Sequence, residues 1–272
     1  SSSRLNLGNA LGAVAQIIAP LILSFLIPAT VVSIDGKLPY MKGLFMAIAA
    51  VLVLVAAVTW LAQDVDLAGR FRSDAAASGS AKVRLWSHPK VVFGFVTIFL
   101  VLGAEAGLFN LYRNFLEDTT IAGLTSQQSQ RMFTVYFAVF AVGRLAGSWV
   151  QKRIKPAVTL VVCAVVAMVL LVPIMTAGGW VAVGSITLLG LFVSIFFPTL
   201  YSLAIAGLGD RTAHASGLLT MGFLGCALLP ILQGRVADRI GLQPSFALCI
   251  VPYVAVLLYA LKGHRLKHKD NA

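Results

Sequence analysis

One acidic residue stands deep inside an apolar run: Glu105, in Val101-Leu-Gly-Ala-Glu-Ala-Gly-Leu-Phe-Asn110. In lipid, an ionisable group at such depth costs from about 2.5 kcal/mol upward, so it ordinarily faces a polar cavity or a partner. Two functions suit it: accepting hydrogen bonds from a polyhydroxylated ligand, or taking up and releasing a proton. Structural pairing with a neighbouring helix is the alternative. Gly103 and Gly107 flank the carboxylate and are expected to clear space around it, with Asn110 further along the run and Arg113 near its end.

Other polar residues recur at helical spacing. Asn9, Gly12, Gln16 and Pro20 share one face of a run, an amide stripe that suits a wet cavity or hydrogen bonds to another helix. Ser194, Pro198, Tyr201 and Ser202 form a similar strip beside a proline kink, and Ser216 and Thr220 stand one turn apart. Phe133, Tyr136, Phe137 and Phe140 mark one side of a further run. Rings beside amides suit a sugar, offering apolar faces to its C–H groups and polar groups to its hydroxyls. An aromatic stripe at helical spacing more often serves packing than a site. The candidate ligand contacts are therefore Glu105, Asn110, Gln16, Asn9, Tyr136 and Tyr201.

The signals of an enzyme are missing from the sequence. It contains no GxxxxGK[ST], no HExxH and no CxxC, and Cys163, Cys226 and Cys249 all lie in apolar runs. His88, His264 and His268 fall in loops or the tail, and His214 at a helix start. Neither a cofactor nor a metal is expected.

The elements that must position these residues follow from composition. The 272 residues are 59% hydrophobic and 11% charged, with a mean hydropathy of +0.91. A soluble domain carries about 25% charged residues, so this surface is built for lipid. Runs near the 20 residues that a membrane span needs occur at Leu7–Pro28, Met41–Ala62, Val91–Phe115, Met132–Val150, Ala157–Ala177, Val181–Gly207, Ala213–Gln233 and Phe246–Leu261. The fold class is thus an all-α polytopic membrane protein with about eight transmembrane helices. Residues 63–90 are polar and rich in small residues, and read as a flexible basic linker. The chain divides into two helices at 1–62, that linker, a six-helix bundle at 91–265 and a tail at 266–272.

The net charge of +11 would suggest nucleic acid in a soluble protein. Here the cations lie between spans, where they set orientation. With the N-terminus cytoplasmic, the inner side receives fourteen Lys and Arg, among them Lys90, Lys152, Arg153, Lys155, Arg211 and Lys262. The outer side receives six: Lys37, Lys42, Arg113, Arg131, Arg235 and Arg239. Both termini are therefore expected in the cytoplasm of a plasma or bacterial inner membrane. Pro20, Pro173, Pro198, Pro230 and Pro252 are expected to bend helices. The pairs Gly8/Gly12, Gly103/Gly107 and Gly143/Gly147 let backbones approach, as packing in lipid requires.

Phe196-Phe197-Pro198-Thr199-Leu200-Tyr201-Ser202-Leu203-Ala204, followed by Gly207-Leu208-Gly209, is similar to the tenth helix of the fucose and glucose/galactose:proton symporters, a branch of the major facilitator superfamily. Ser216-Gly217 and the stretch from Leu229 through Gln233-Gly234-Arg235 to Gly241 resemble that family's eleventh helix and following loop. Gly103-Ala104-Glu105 resembles the start of its seventh-helix sugar motif, Gly143-Arg144 its eighth helix, and Arg4-Leu5-Asn6-Leu7 with Ala19-Pro20 its fifth.

The resemblance implies a secondary active transporter, or a fragment of one, that moves a hexose-like solute with protons by alternating access between two six-helix bundles. It makes Glu105 a sugar-contacting carboxylate. A carrier of another small solute (an organic acid or drug), or a non-transporting scaffold or sensor, is the alternative. Of the family's twelve helices the chain matches five to twelve, and the acids implicated in proton coupling belong to the first four. The opening Ser1-Ser2-Ser3-Arg4 is accordingly expected of a processed chain or a fragment, which alone would transport poorly. Asn9 and Gly12 stand where the family has an amide pair, and Leu108-Phe109-Asn110 where it has small residues. These departures leave fucose, glucose and galactose undistinguished. The partners implied are a sugar-like molecule, protons, the bilayer and the family's first four helices, with no nucleic acid.

Overall fold

The computed structural model describes residues 34–61 and 88–263. The expected first span, Leu7–Pro28, lies outside the described residues, as does most of the linker. The described residues fall into two units. One holds α1 (Ile34–Leu61), which covers the expected second span. Phe45, Met46, Leu52 and Val53 give it an apolar and well exposed surface.

The second unit holds six helices long and apolar enough to cross a membrane: α2 (Pro89–Glu117), α3 (Ser126–Val150), α4 (Pro156–Thr176), α5 (Gly179–Ile205), α6 (Thr212–Ile240) and α7 (Leu242–Leu261). They coincide with the six spans expected after the linker. Val142, Leu145, Val162, Val169 and Val172 face outward, each more than half exposed. An apolar exterior of this kind is stable in lipid, where backbone polar groups are satisfied within each helix.

Local chemistry sets the helix ends. Pro89 and Pro156 occupy the first turns of α2 and α4, where a missing N–H costs nothing. Thr125 caps α3 in a reciprocal pair with Gln128: the Gln128 amide donates to Thr125 Oγ1 at 3.4 Å, and the Thr125 amide to Gln128 Oε1 at 2.9 Å. That cap lets α3 begin six residues before the apolar run at Met132. Likewise α6 continues past Gln233 through Arg235, Asp238 and Arg239, and stops at Gly241, whose φ of 97° suits glycine. Counting apolar residues misses polar turns that extend a helix beyond the hydrocarbon.

The helices alternate in direction, which gives the unit two ends. At one, Lys90 Nζ donates to the Ala206 carbonyl at 2.6 Å, and Arg211 Nη1 lies 2.7 Å from His88 Nε2. At the other, the Gly179 amide donates to the Ile121 carbonyl at 2.6 Å, and Gln243 Nε2 donates to the Ala177 carbonyl. The central helix is α2, which packs on α3, α5, α6 and α7.

Candidate functional site

Glu105 lies sixteen residues into α2, about 24 Å of helix rise from Pro89, and is half-buried. At about 100° per residue, Phe109 and Tyr112 share its face, while Gly103 and Gly107 lie on nearly the opposite one. The glycines therefore do not clear space around the carboxylate. They receive α6 instead. A Cβ on Gly103 would overlap Leu229 and the Gly225 carbonyl, and one on Gly107 would overlap the amide of Gln233. Gly225 is as tightly placed against the Phe99 carbonyl. Close backbone approach is what these small residues provide.

Arg144 of α3 lies within electrostatic reach of Glu105, and the buried Tyr136 within reach of both. Cys226 of α6 and Tyr253 of α7 complete the groups that sense the Glu105 charge. Sequence reasoning missed Arg144 as a site residue. It stands in the middle of Met132–Val150, so it belonged to neither end when cations were assigned to sides of the membrane. A lone cation in mid-run was the available signal, with the same physical weight as a lone acid.

The placement of Arg144 follows from a proline on another helix. Pro198 has no N–H, so the carbonyl four residues before it, Ser194, loses its helical partner. There α5 breaks into Gly179–Val193 and Phe196–Ile205. Arg144 Nε donates to that carbonyl at 3.3 Å, and its guanidinium lies 4.6 Å from the centre of the Phe140 ring. Gly143 and Gly147 let α3 approach closely enough, since a Cβ would strike the Leu191 carbonyl at the first and Ile195 at the second. Arginine suits this role because it stays charged, presents several donors in a fixed plane and stacks on aromatic rings.

The aromatic stripe of α3 packs against α2. Phe109 meets Tyr136, Phe137 and Phe140 at ring separations of 5.7, 5.3 and 5.9 Å. Tyr112 meets Phe133 and Tyr136 at 5.6 and 5.0 Å, and its hydroxyl pairs with Thr187 Oγ1 at 2.7 Å. These rings are core. The Tyr136 hydroxyl, buried beside the Glu105–Arg144 pair, has no hydrogen-bond partner among the described residues.

The other candidates are dispersed. Asn110 is exposed and sits about 140° around α2 from Glu105, on the face of Arg113 and Asn114. Tyr201 is half-buried against Phe197 at 5.8 Å, five residues before the Ala206 carbonyl that binds Lys90, and so far from the depth of Glu105. Asn9 and Gln16 lie outside the described residues. Thr220 donates to the Ser216 carbonyl at 2.8 Å, which satisfies the threonine hydroxyl within its own helix. Among the described residues no group of three His, Cys, Asp or Glu could hold a metal ion.

A sequence profile of the Major Facilitator Superfamily matches residues 2–230. The chain is 30% identical over 267 residues to a glucose/galactose transporter of Brucella abortus, a match covering 97% of this chain and 64% of that protein. It is 30% identical over 209 residues to the L-fucose-proton symporter of Escherichia coli, covering 74% of this chain and 46% of that one. It thus spans less than two thirds of the length of these relatives. A solved structure of the E. coli fucose:proton symporter superposes with a TM-score of 0.72 at 21% identity, over 96% of this chain and 68% of its own. With a matching profile over most of its length and the same helical fold, the chain belongs to the major facilitator superfamily, in the branch of the fucose and glucose/galactose transporters.

Proposed function

We propose that the protein is a secondary active transporter that moves a hexose-like solute together with protons by alternating access, with Glu105 and Arg144 at its solute site. One observation carries this reading: a half-buried carboxylate lies within electrostatic reach of an oriented guanidinium in an apolar bundle whose relatives carry sugar-transporter names. A carboxylate accepts from sugar hydroxyls and a guanidinium donates to them. The Tyr136 hydroxyl beside them has bonding capacity to offer. Of the remaining candidates, Asn9, Gln16, Asn110 and Tyr201 are proposed as further solute contacts by residue type, since amides and a phenol hydrogen-bond sugar hydroxyls.

In this reading residues 1–62 end one bundle, 63–90 link the two, 91–265 form the second and 266–272 are a tail. The two ends of the six-helix unit support an orientation with both termini in the cytoplasm. Six cations, Lys90, Lys152, Arg153, Lys155, Arg211 and Lys262, gather at one end, against four, Arg113, Arg131, Arg235 and Arg239, at the other. The excess of Lys and Arg at the first end supports the reading that this end is cytoplasmic.

Arg144 also favours a second reading, an organic anion as the solute, because a buried guanidinium binds carboxylates bidentately. Binding of D-glucose, D-galactose and L-fucose to the protein in nanodiscs, with organic anions as competitors, separates the two. Glu105→Gln is expected to weaken sugar binding by about tenfold, the loss of one charge-assisted hydrogen bond. Unchanged sugar affinity in that variant would reduce Glu105 to a structural acid. Tight anion binding with no sugar binding would establish the second reading.

A further inference from the structure

At the end of the unit that carries Lys90 and Arg211, α3 turns into α4 through Gln151–Lys155, and the turn exposes Lys152, Arg153 and Lys155. No Asp or Glu occurs anywhere between Asp118 and Asp210 in the sequence. Among the described residues, none of the three cations has an ion-pair partner. Trp149 is 59% exposed beside them, its ring 5.0 Å from the Arg153 guanidinium. An exposed indole next to cations at a helix end is characteristic of the headgroup region.

Directly beneath the turn lies a crevice of about 250 Å³ between α3, α4 and α5, bounded by Gly143, Val150, Ile154, Val158, Val162 and Ile195. From Val150 to Gly143 it follows α3 for about 10 Å of helix rise, some two thirds of the depth of one leaflet's hydrocarbon. Val158 and Val162 are about half exposed, so it opens sideways toward lipid. Its lining is apolar apart from the Cys163 thiol and Thr159, whose hydroxyl donates to the Lys155 carbonyl at 3.5 Å. A sugar entering it would forfeit its hydrogen bonds to water and regain almost none.

We infer that the crevice and the turn together form a binding site for an anionic phospholipid, with one acyl chain along α3, α4 and α5 and the phosphate held by Lys152, Arg153 and Lys155. The two parts are continuous, since Val150 and Ile154 line the crevice and flank the first two cations. Each supplies what the other lacks. The crevice binds hydrocarbon without regard to headgroup, and the turn selects for negative charge. The Glu105–Arg144 pair takes no part in this site.

The test is native mass spectrometry of the protein released from nanodiscs of equal phosphatidylglycerol and phosphatidylcholine. Phosphatidylglycerol is expected to be enriched among the retained lipids. Replacing Lys152, Arg153 and Lys155 together by Gln should lower that enrichment by up to about a hundredfold, at roughly fivefold per cation near a membrane surface. Val162→Trp fills the crevice from its exposed side and leaves the charges in place, and should reduce retention of both lipids. Equal retention of the two lipids by the wild type, or unchanged enrichment in the charge variant, overturns the proposal. So does displacement of the bound lipid by soluble glycerol phosphate, which would make the turn a site for free phosphate. No sugar enters the measurement, so its outcome is independent of the transport reading.

Discussion

On α2, Glu105 and Phe109 turn one face toward α3, while Gly103 and Gly107 turn the other toward α6. The first face is held by long side chains: a carboxylate that senses a guanidinium, and rings meeting at 5 to 6 Å. The second is held by the absence of side chains, which lets the Gly225 and Phe99 backbones come into contact across the crossing. Both faces lie in the same apolar solvent, where burying hydrocarbon gives helices no net drive to associate. Polar groups and glycines are thus two answers to one problem.

The largest effect is expected on the glycine face. Gly103→Val puts branched carbon where Leu229 and the Gly225 carbonyl already stand, and is expected to cost about 3 kcal/mol, the upper range for overpacking. Thermal unfolding in detergent reads the loss, and a variant as stable as the wild type would show that α2 and α6 are not in close register.

Next in size is the polar face. Arg144→Met removes the cation opposite Glu105 and frees the Ser194 carbonyl, with an expected cost of about 2 kcal/mol. That is less than for a fully buried pair, since Glu105 is half-exposed. Adding Glu105→Gln should recover much of it, because the stranded charge is then gone. Strict additivity of the two substitutions would dissolve the pair.

The smallest effect sharpens the comparison. Tyr136→Phe deletes a buried hydroxyl that has no partner among the described residues and keeps the ring in its cluster. Stability should change by less than about 1 kcal/mol, or rise, while sugar affinity falls. A large loss of stability with intact affinity would make that hydroxyl structural.

Much of the fold was legible because lipid imposes a simple code. A run of about twenty apolar residues must be a helix, and six such runs after Lys90 became α2 to α7. Helix ends were less legible, since Thr125 with Gln128 and Arg235 to Arg239 extend α3 and α6 with polar turns. The site was legible only in part. Glu105 stood out by its depth, yet its partner Arg144 is 39 residues away on another helix and is oriented by a proline 54 residues further on.

The sequence by itself determined the solvent, the helices, the imbalance of charge between their ends and the one acid at mid-depth, because each depends on composition and spacing along a single helix. Tertiary structure alone decided that Gly103 and Gly107 serve α6 rather than Glu105, that the α3 rings are core, and that the carbonyl freed by Pro198 holds Arg144 within electrostatic reach of the carboxylate. Those outcomes depend on which helices are neighbours and at what rotation. Pairings of that kind come from packing between distant segments, which no local pattern encodes.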